Sequence, residues 1–312
     1  MPSVSCIIPV YNAAAWLERA VRSLSECGLS NLEIVLIDDG STDDSLAEAH
    51  RLQKEHRGVQ VLRHPDRQNH GVSATRNLGI EHCTGELICF LDGDDFVYPH
   101  RFEAALTVLQ SDAEIDGVYG TTKMVFESEE AQAGWYAGED VFGFQDEIPS
   151  GELLERLLKG KCWATSAILF RRELLGRTGL FNPVLHIAED CNLWFRMAAV
   201  GTLVGGDLTH PVSAYWRTTG SAYQAGASQK IPMLRSMQLF QRWLSQQQVS
   251  SAVKELARRC IRDYAINGII AARSSKQRGL AWSLAAKSFQ LFPSIGLDYR
   301  FQRQLLSMTL GR

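Results

Sequence analysis

Three carboxylates crowd the end of an apolar run in "ICFLDGDDFVYP", residues 88–99: Asp92, Asp94 and Asp95. Taken alone, the stretch reads as a solvated turn, because Asp and Gly both favour turns. It also reads as a site for a hard divalent cation, Mg²⁺ or Mn²⁺. Such a cation takes one or two carboxylates from protein and completes its shell with phosphate and water. Three other polar clusters bear on the choice. "IIPVYN" ends an earlier apolar run with Pro9, Tyr11 and Asn12; "IDDGSTDDS" ends another with Asp38 and Asp39; "GVSATRNLG" opens a helical pattern with Arg76 one turn in. Each suits one piece of a nucleoside diphosphate. Asp39 can accept the N3–H of a pyrimidine, which favours UDP or dTDP over purine nucleotides. Tyr11 offers a ring to base or ribose, with Pro9 shaping the turn and Asn12 beside it. Arg76 brings a fork of donors to the diphosphate. Asp92 and Asp94 complete the ribose and cation end, with Asp94 the metal ligand. Asp43 and Asp44 read as first-turn helix residues favoured by the macrodipole.

The elements that must position these residues follow from hydrophobic period. Strand patterns cover Val4–Val10, Leu32–Ile37, Val59–Leu62, Leu87–Leu91 and Gly117–Thr121. Between them lie helical patterns: Asn12 as cap of a helix through Cys27, Ser41 or Thr42 as cap of one over 42–56, Gly71 to His82, and Pro99 to Leu109. Alternation of this kind predicts an α/β fold with a mostly parallel central sheet flanked by helices. In such a sheet the strand-to-helix junctions share one edge, where ligands bind. Residues 123–150, acidic and mixed with Gly and aromatics, read as a long, partly mobile insertion. A helix near 151–159, a strand at 166–170, a helix near 189–200 and a strand at 212–217 follow. From about 229 the pattern is helical to the end.

"SCIIPVYN", "IDDGSTDDS", "GVSATRNLG" and "FLDGDD", in that order, resemble the family 2 glycosyltransferases of the GT-A (Rossmann-like) fold. The resemblance covers residues 3–122 closely and extends to about 222 through "AEDCNLWFRMAAVG" and "YWRTTGSAY". It implies an inverting, metal-dependent transfer of a sugar from a nucleotide-sugar donor. It directs attention to Ala188-Glu189-Asp190, where Asp190 aligns with the general base and Glu189 is the neighbouring alternative. Inversion needs a carboxylate to take the acceptor's proton as the hydroxyl attacks opposite the leaving nucleotide. Alone, that pair is an ordinary acidic helix start. Arg217 matches the family's pattern, but a His that relatives often carry soon after it is replaced by Thr219, with Ser221 nearby. His186, close to the base, reads as a loop or packing residue. "QLFQRW" places Gln238 one residue too far from Arg242 for the Q-x-x-R-W of processive synthases, which implies one sugar per encounter. Trp243 then reads as core. A glycan or lipid-linked acceptor and a bacterial surface-glycan product are likewise implied by resemblance.

These readings give a catalytic domain over 1–225, divided at 122/123 into nucleotide-binding and acceptor-binding halves, and a helical C-terminal extension over 226–312. The extension mixes Trp282, Phe289, Phe292 and Phe301 with Lys287, Arg300 and Arg303. It is expected to pack on the catalytic domain or on another copy of the chain, with a membrane surface as the third reading. A net charge of −3 gives no electrostatic case for nucleic acid. Seven scattered cysteines without a C-x-x-C pair argue against zinc and for a reducing compartment. No basic leader and no run of 18 apolar residues stands in the sequence, so the expectation is a cytoplasmic protein, soluble or peripheral at the inner membrane face. Two rivals remain. A sugar nucleotidyltransferase should carry a Gly-rich basic loop after the first strand, where this chain has "PVYNAAAW"; a non-catalytic nucleotide-sugar-binding protein would not need Asp190. A dehydrogenase would need G-x-G-x-x-G after that strand.

Overall fold

The computed structural model describes residues 2–133, 140–149, 151–218 and 229–309. In chain order the first half runs β1 (Val4–Val10), α1 (Leu17–Ser25), β2 (Leu32–Asp38), α2 (Ser45–Glu55), β3 (Val59–Arg63), α3 (Val72–His82), β4 (Leu87–Phe90), β5 (Phe96–Val97), α4 (Glu103–Ser111) and β6 (Gly117–Tyr119). Then come β7 (Thr122–Phe126), α5 (Glu129–Ala133), β8 (Val141–Phe142), α6 (Leu153–Leu158), β9 (Ile168–Arg171), α7 (Leu174–Thr178), α8 (Glu189–Val200), β10 (Leu203–Gly205) and β11 (Ser213–Arg217). The tail is helical: α9 (Lys230–Ser245), α10 (Ser251–Ser274), α11 (Arg278–Leu291) and α12 (Tyr299–Thr309).

The main sheet has seven strands in the order β10-β6-β9-β4-β1-β2-β3, all parallel except β9, which runs against both its neighbours. β1 is buried on both faces. Ile7 joins one core with α3, α6 and α8, while Cys6, Ile8 and Val10 join the other with α1, α2 and α4. Leu17, Ala20, Val21 and Leu24 form the buried stripe of α1, as the period predicts. Each fully buried Leu there contributes about 1.5–3 kcal/mol. Helix α3 lies close on the sheet because position 79 has no side chain: a Cβ there would sit 2.5 Å from Ile7 Cγ2. That close approach carries Arg76 over the strand ends.

The sheet order reverses between β1 and β4, and the two strands part there. Their pairing ends at Ile7–Phe90, and Pro9 has no N–H with which to continue it. Ligands bind at such a switch point in open α/β sheets.

Three expectations are corrected. Residues 123–150 are not simply an insertion. β7 opens them and joins a second, four-stranded sheet, β5-β11-β7-β8, that fixes β11 beside the acidic turn. Asn12 does not cap α1, which starts at Leu17. It sits at φ +50° and accepts hydrogen bonds from the Thr42 N–H (2.8 Å) and hydroxyl (3.2 Å). Asn tolerates the left-handed region, so the chain turns there and the helix waits. Neither Ser41 nor Thr42 caps α2, which begins three residues later at Ser45; the Asp43 carboxylate instead accepts the Ser45 N–H at 2.9 Å.

The C-terminal helices share a core with the main sheet and its helices. Met237, Phe240 and Leu244 of α9 and Ala257, Cys260 and Ile261 of α10 share one buried cluster with Trp163 and Trp194. Trp243 stacks on Phe240 at 6.1 Å. The 225/226 boundary, Thr219 and Ser221 lie outside the described residues.

Candidate active site

Four loops meet at the C-terminal edge of β1, β2 and β4. The turn after β4 is closed by the Asp95 N–H donating to the Asp92 carbonyl at 3.0 Å. Asp95 is buried, and its carboxylate accepts the Trp216 N–H at 2.8 Å, which ties the turn to β11. From α1, Arg19 donates to the Asp94 carbonyl at 2.6 Å and lies over the Trp216 ring at 4.2 Å. The turn is therefore held from both sides.

Arg76 is 3% exposed and joins two elements that lie far apart in sequence. One guanidinium nitrogen donates to Asp92 at 2.7 Å, and another to Glu189 at 2.9 Å. Burial works against its charge, but Asp92 and Glu189 overcome it and raise its pKa above the ordinary arginine value. The sequence placed Arg76 on the diphosphate. Its arms instead hold carboxylates, because a guanidinium this deep must be paired.

Asp39 is also buried. Its two oxygens accept the His70 N–H (2.8 Å) and the Gly71 N–H (3.0 Å), which fixes the entry to α3. A carboxylate has about four acceptor sites, so capacity for an imide N–H remains. Tyr11 is 52% exposed and lies between Pro9, near the end of β1, and Asn12 in the turn that follows.

Asp190 lies in the first turn of α8, following Ala188 at φ +59°. That left-handed turn is rare for Ala and is braced from α9, where Ser236 donates to the Ala188 carbonyl at 3.0 Å. Asp190 accepts from its neighbour Cys191 N–H at 2.7 Å and from the Thr165 hydroxyl at 3.4 Å. Glu189 is buried, and its pKa is pushed up to about 7 by burial and then by Asp190, against the pull of Arg76. His186 is exposed, next to Gly71.

Tyr215 was not singled out from the sequence, yet it stands among these groups. Its phenol pKa is raised well above the usual value by burial and then by the charges of Asp95, Asp92 and Asp190. The Arg217 guanidinium lies 4.3 Å over its ring. Residues 215 and 217 of "SAYWR" share one strand face, and that alternation was the available signal. Thr165 carried no comparable one.

The acidic turn fits a divalent cation. Burial, and then the charge of Asp92, raises the Asp94 pKa; burial and both neighbours raise that of Asp95 far more. These are hard oxygen donors short of positive charge, which a cation would supply. Among the described residues no three His, Cys, Asp or Glu side chains converge on one point. Phosphate and water would then complete the shell around a cation on Asp94.

The family model "Glycosyl transferase family 2" matches residues 5–176. An uncharacterized glycosyltransferase of Rickettsia felis is 29% identical over 204 residues, covering 65% of this chain and 31% of that protein, so the chain spans less than a third of this relative. Among solved structures, S. aureus TarS 1–349 in complex with UDP-GlcNAc superposes with a TM-score of 0.66 at 17% identity, covering 96% of this chain and 91% of that one. The mannosyltransferase PcManGT from Pyrobaculum calidifontis, in complex with GDP-Man and Mn²⁺, gives 0.53 at 18% identity, covering 99% and 86%. These structures and this chain share the GT-A fold. The chain belongs to glycosyl transferase family 2.

Proposed function

We propose that the protein is an inverting glycosyltransferase moving one sugar per encounter from a UDP- or dTDP-linked donor to an acceptor hydroxyl. The observation that carries this reading is the Arg76 bridge. By pairing with both Asp92 and Glu189, it puts the acidic turn and the Glu189–Asp190 turn on one crevice at the switch point. Donor and acceptor chemistry must meet within a bond length, and this contact supports assigning the two turns to one site.

In this reading Asp39 accepts the base N3–H, Tyr11 covers base or ribose, and Pro9 and Asn12 shape that wall. Asp92, oriented by Arg76, accepts from ribose, and Arg217 faces the negative charge of the donor. Asp190 takes the proton of the acceptor hydroxyl as its oxygen attacks the anomeric carbon and the nucleoside diphosphate leaves from the opposite face. Mn²⁺ or Mg²⁺ on Asp94, when bound, supplies Lewis acidity toward the leaving diphosphate. Glu189, held neutral over part of the working pH range and paired with Arg76, serves position better than proton abstraction.

The UDP-GlcNAc complex of TarS supports a uridine donor; the GDP-Man complex of PcManGT shows that this fold also takes purine donors. A panel of UDP-, dTDP- and GDP-sugars, read by nucleoside diphosphate release with Mn²⁺, tests the choice. Release from a UDP- or dTDP-sugar is expected. Release from GDP-sugars alone would overturn the role given to Asp39.

A further inference from the structure

Six of the nine large apolar side chains exposed among the described residues fall in the C-terminal helices: Ile270, Trp282, Phe289, Leu297, Tyr299 and Leu306. Trp282 and Phe289 are seven residues apart, on one stripe of α11 beside its buried face. The Phe289 ring reaches Gly296, where an added Cβ would lie 2.8 Å away, and so runs on to Leu297, which is 86% exposed. Ile270, Trp282 and Met308 line a groove of about 380 Å³ together with Arg273, Lys276 and Arg278. Apolar and basic side chains are thus interleaved.

The charge of this region differs from the rest of the chain. From Tyr264 onward there are seven Lys and Arg but one acidic residue, Asp298, in a chain whose total is −3. Asp298 is itself engaged by Arg300 at 3.1 Å. Exposed apolar patches mark contact surfaces. A second copy docked through the same face would set this positive segment against itself, and like charges oppose that pairing. Aromatic and long aliphatic side chains rimmed by Lys and Arg suit an interface that is apolar inside and negative at its surface.

We propose that the face formed by the end of α10, α11 and the start of α12 docks the protein on an anionic phospholipid surface. Trp282, Phe289 and Leu297 enter the headgroup boundary, and Lys276 and Arg278 meet lipid phosphate. Among the described residues no helix is long and apolar enough to cross a membrane. The contact is therefore peripheral, reversible and sensitive to salt. Helix α9 packs against both α11 and α8, which makes one rigid path from this face to the Glu189–Asp190 turn.

The test is co-sedimentation of the full chain with vesicles of phosphatidylcholine alone or mixed with phosphatidylglycerol, at about 0.1 M and about 0.5 M NaCl. Binding to the anionic vesicles, at least about tenfold weaker in the higher salt, is expected. Two double variants, Trp282→Ser with Phe289→Ser and Lys276→Glu with Arg278→Glu, should each lower partition by about tenfold or more with an unchanged thermal melt. Equal binding to neutral and anionic vesicles, no binding to either, or binding that both variants leave intact would overturn the proposal. So would a concentration-dependent dimer in light scattering that the Trp282→Ser, Phe289→Ser variant abolishes, since the occupant would then be a second copy.

Discussion

Replacing Arg76 by Met should destabilise the fold, and more so at pH 8.5 than at pH 6. The guanidinium is 3% exposed and splits its bonds between Asp92 and Glu189. Removing one partner of a buried ion pair costs about 3–5 kcal/mol, because the other charge is stranded. The cost depends on whether the stranded group can take a proton. Glu189 sits at about 7 in the folded protein, against an ordinary 4.5. Its folded pKa is the higher one, so its contribution to stability is complete below about 4.5 and is lost as pH climbs through 7. Arg76 opposes that rise; without it the folded pKa climbs further. Each pH unit over which the variant holds a proton that the parent has released adds about 1.4 kcal/mol to the difference. Between pH 7 and 8.5 that amounts to about 2 kcal/mol. The expected loss is then about 2–3 kcal/mol at pH 6, mostly from Asp92, and about 4–5 kcal/mol at pH 8.5. Urea unfolding followed by circular dichroism at both pH values measures it. An equal loss at the two, or a larger one at pH 6, would refute the coupling between Arg76 and Glu189.

Asp190→Asn should lose about 10²–10⁴-fold in transfer rate while nucleotide affinity stays within about twofold; a parallel loss of both would move Asp190 to the donor site. Asp39→Ala frees two backbone N–H groups at the start of α3, so thermal unfolding should show a loss of about 1–3 kcal/mol, with the preference for UDP over GDP reduced in the same protein. An unchanged preference would remove Asp39 from the base. Gly79→Ala drives a Cβ to 2.5 Å from Ile7 and 2.9 Å from Ile37, and overpacking of this kind costs about 1–3 kcal/mol; an unshifted Tm would show that α3 can lift from the sheet.

The strand ends were legible because each joins an unbroken apolar run to a polar cluster, and parallel topology then forces those clusters to one edge. Asp39, Asp92 and Asp94 were reachable in this way; Asp190, at a helix start, was reached only through the family resemblance. Their partners were not. Nothing near "GVSATRNLG" says that Arg76 meets Glu189, 113 positions later; only the packing of α3 against the start of α8 decides it. The second sheet was hidden for another reason. β5 and β8 are two residues long, and their pairing with β11 and β7 lends them a strand character that their own residues lack. Asn12 shows the limit of local rules: a good cap residue that the chain uses in a left-handed turn instead.

The central claim is that the crevice between β1 and β4 holds a nucleoside diphosphate through a cation on Asp94. Thermal unfolding with UDP, with Mn²⁺ or with EDTA, in the parent and in Asp94→Asn, tests it most directly. UDP at about 100 times its Kd should stabilise the parent by about 2.7 kcal/mol, a shift of several degrees, with Mn²⁺ present. EDTA and Asp94→Asn should each remove most of that shift. An equal shift by UDP in EDTA and in the variant would contradict the account.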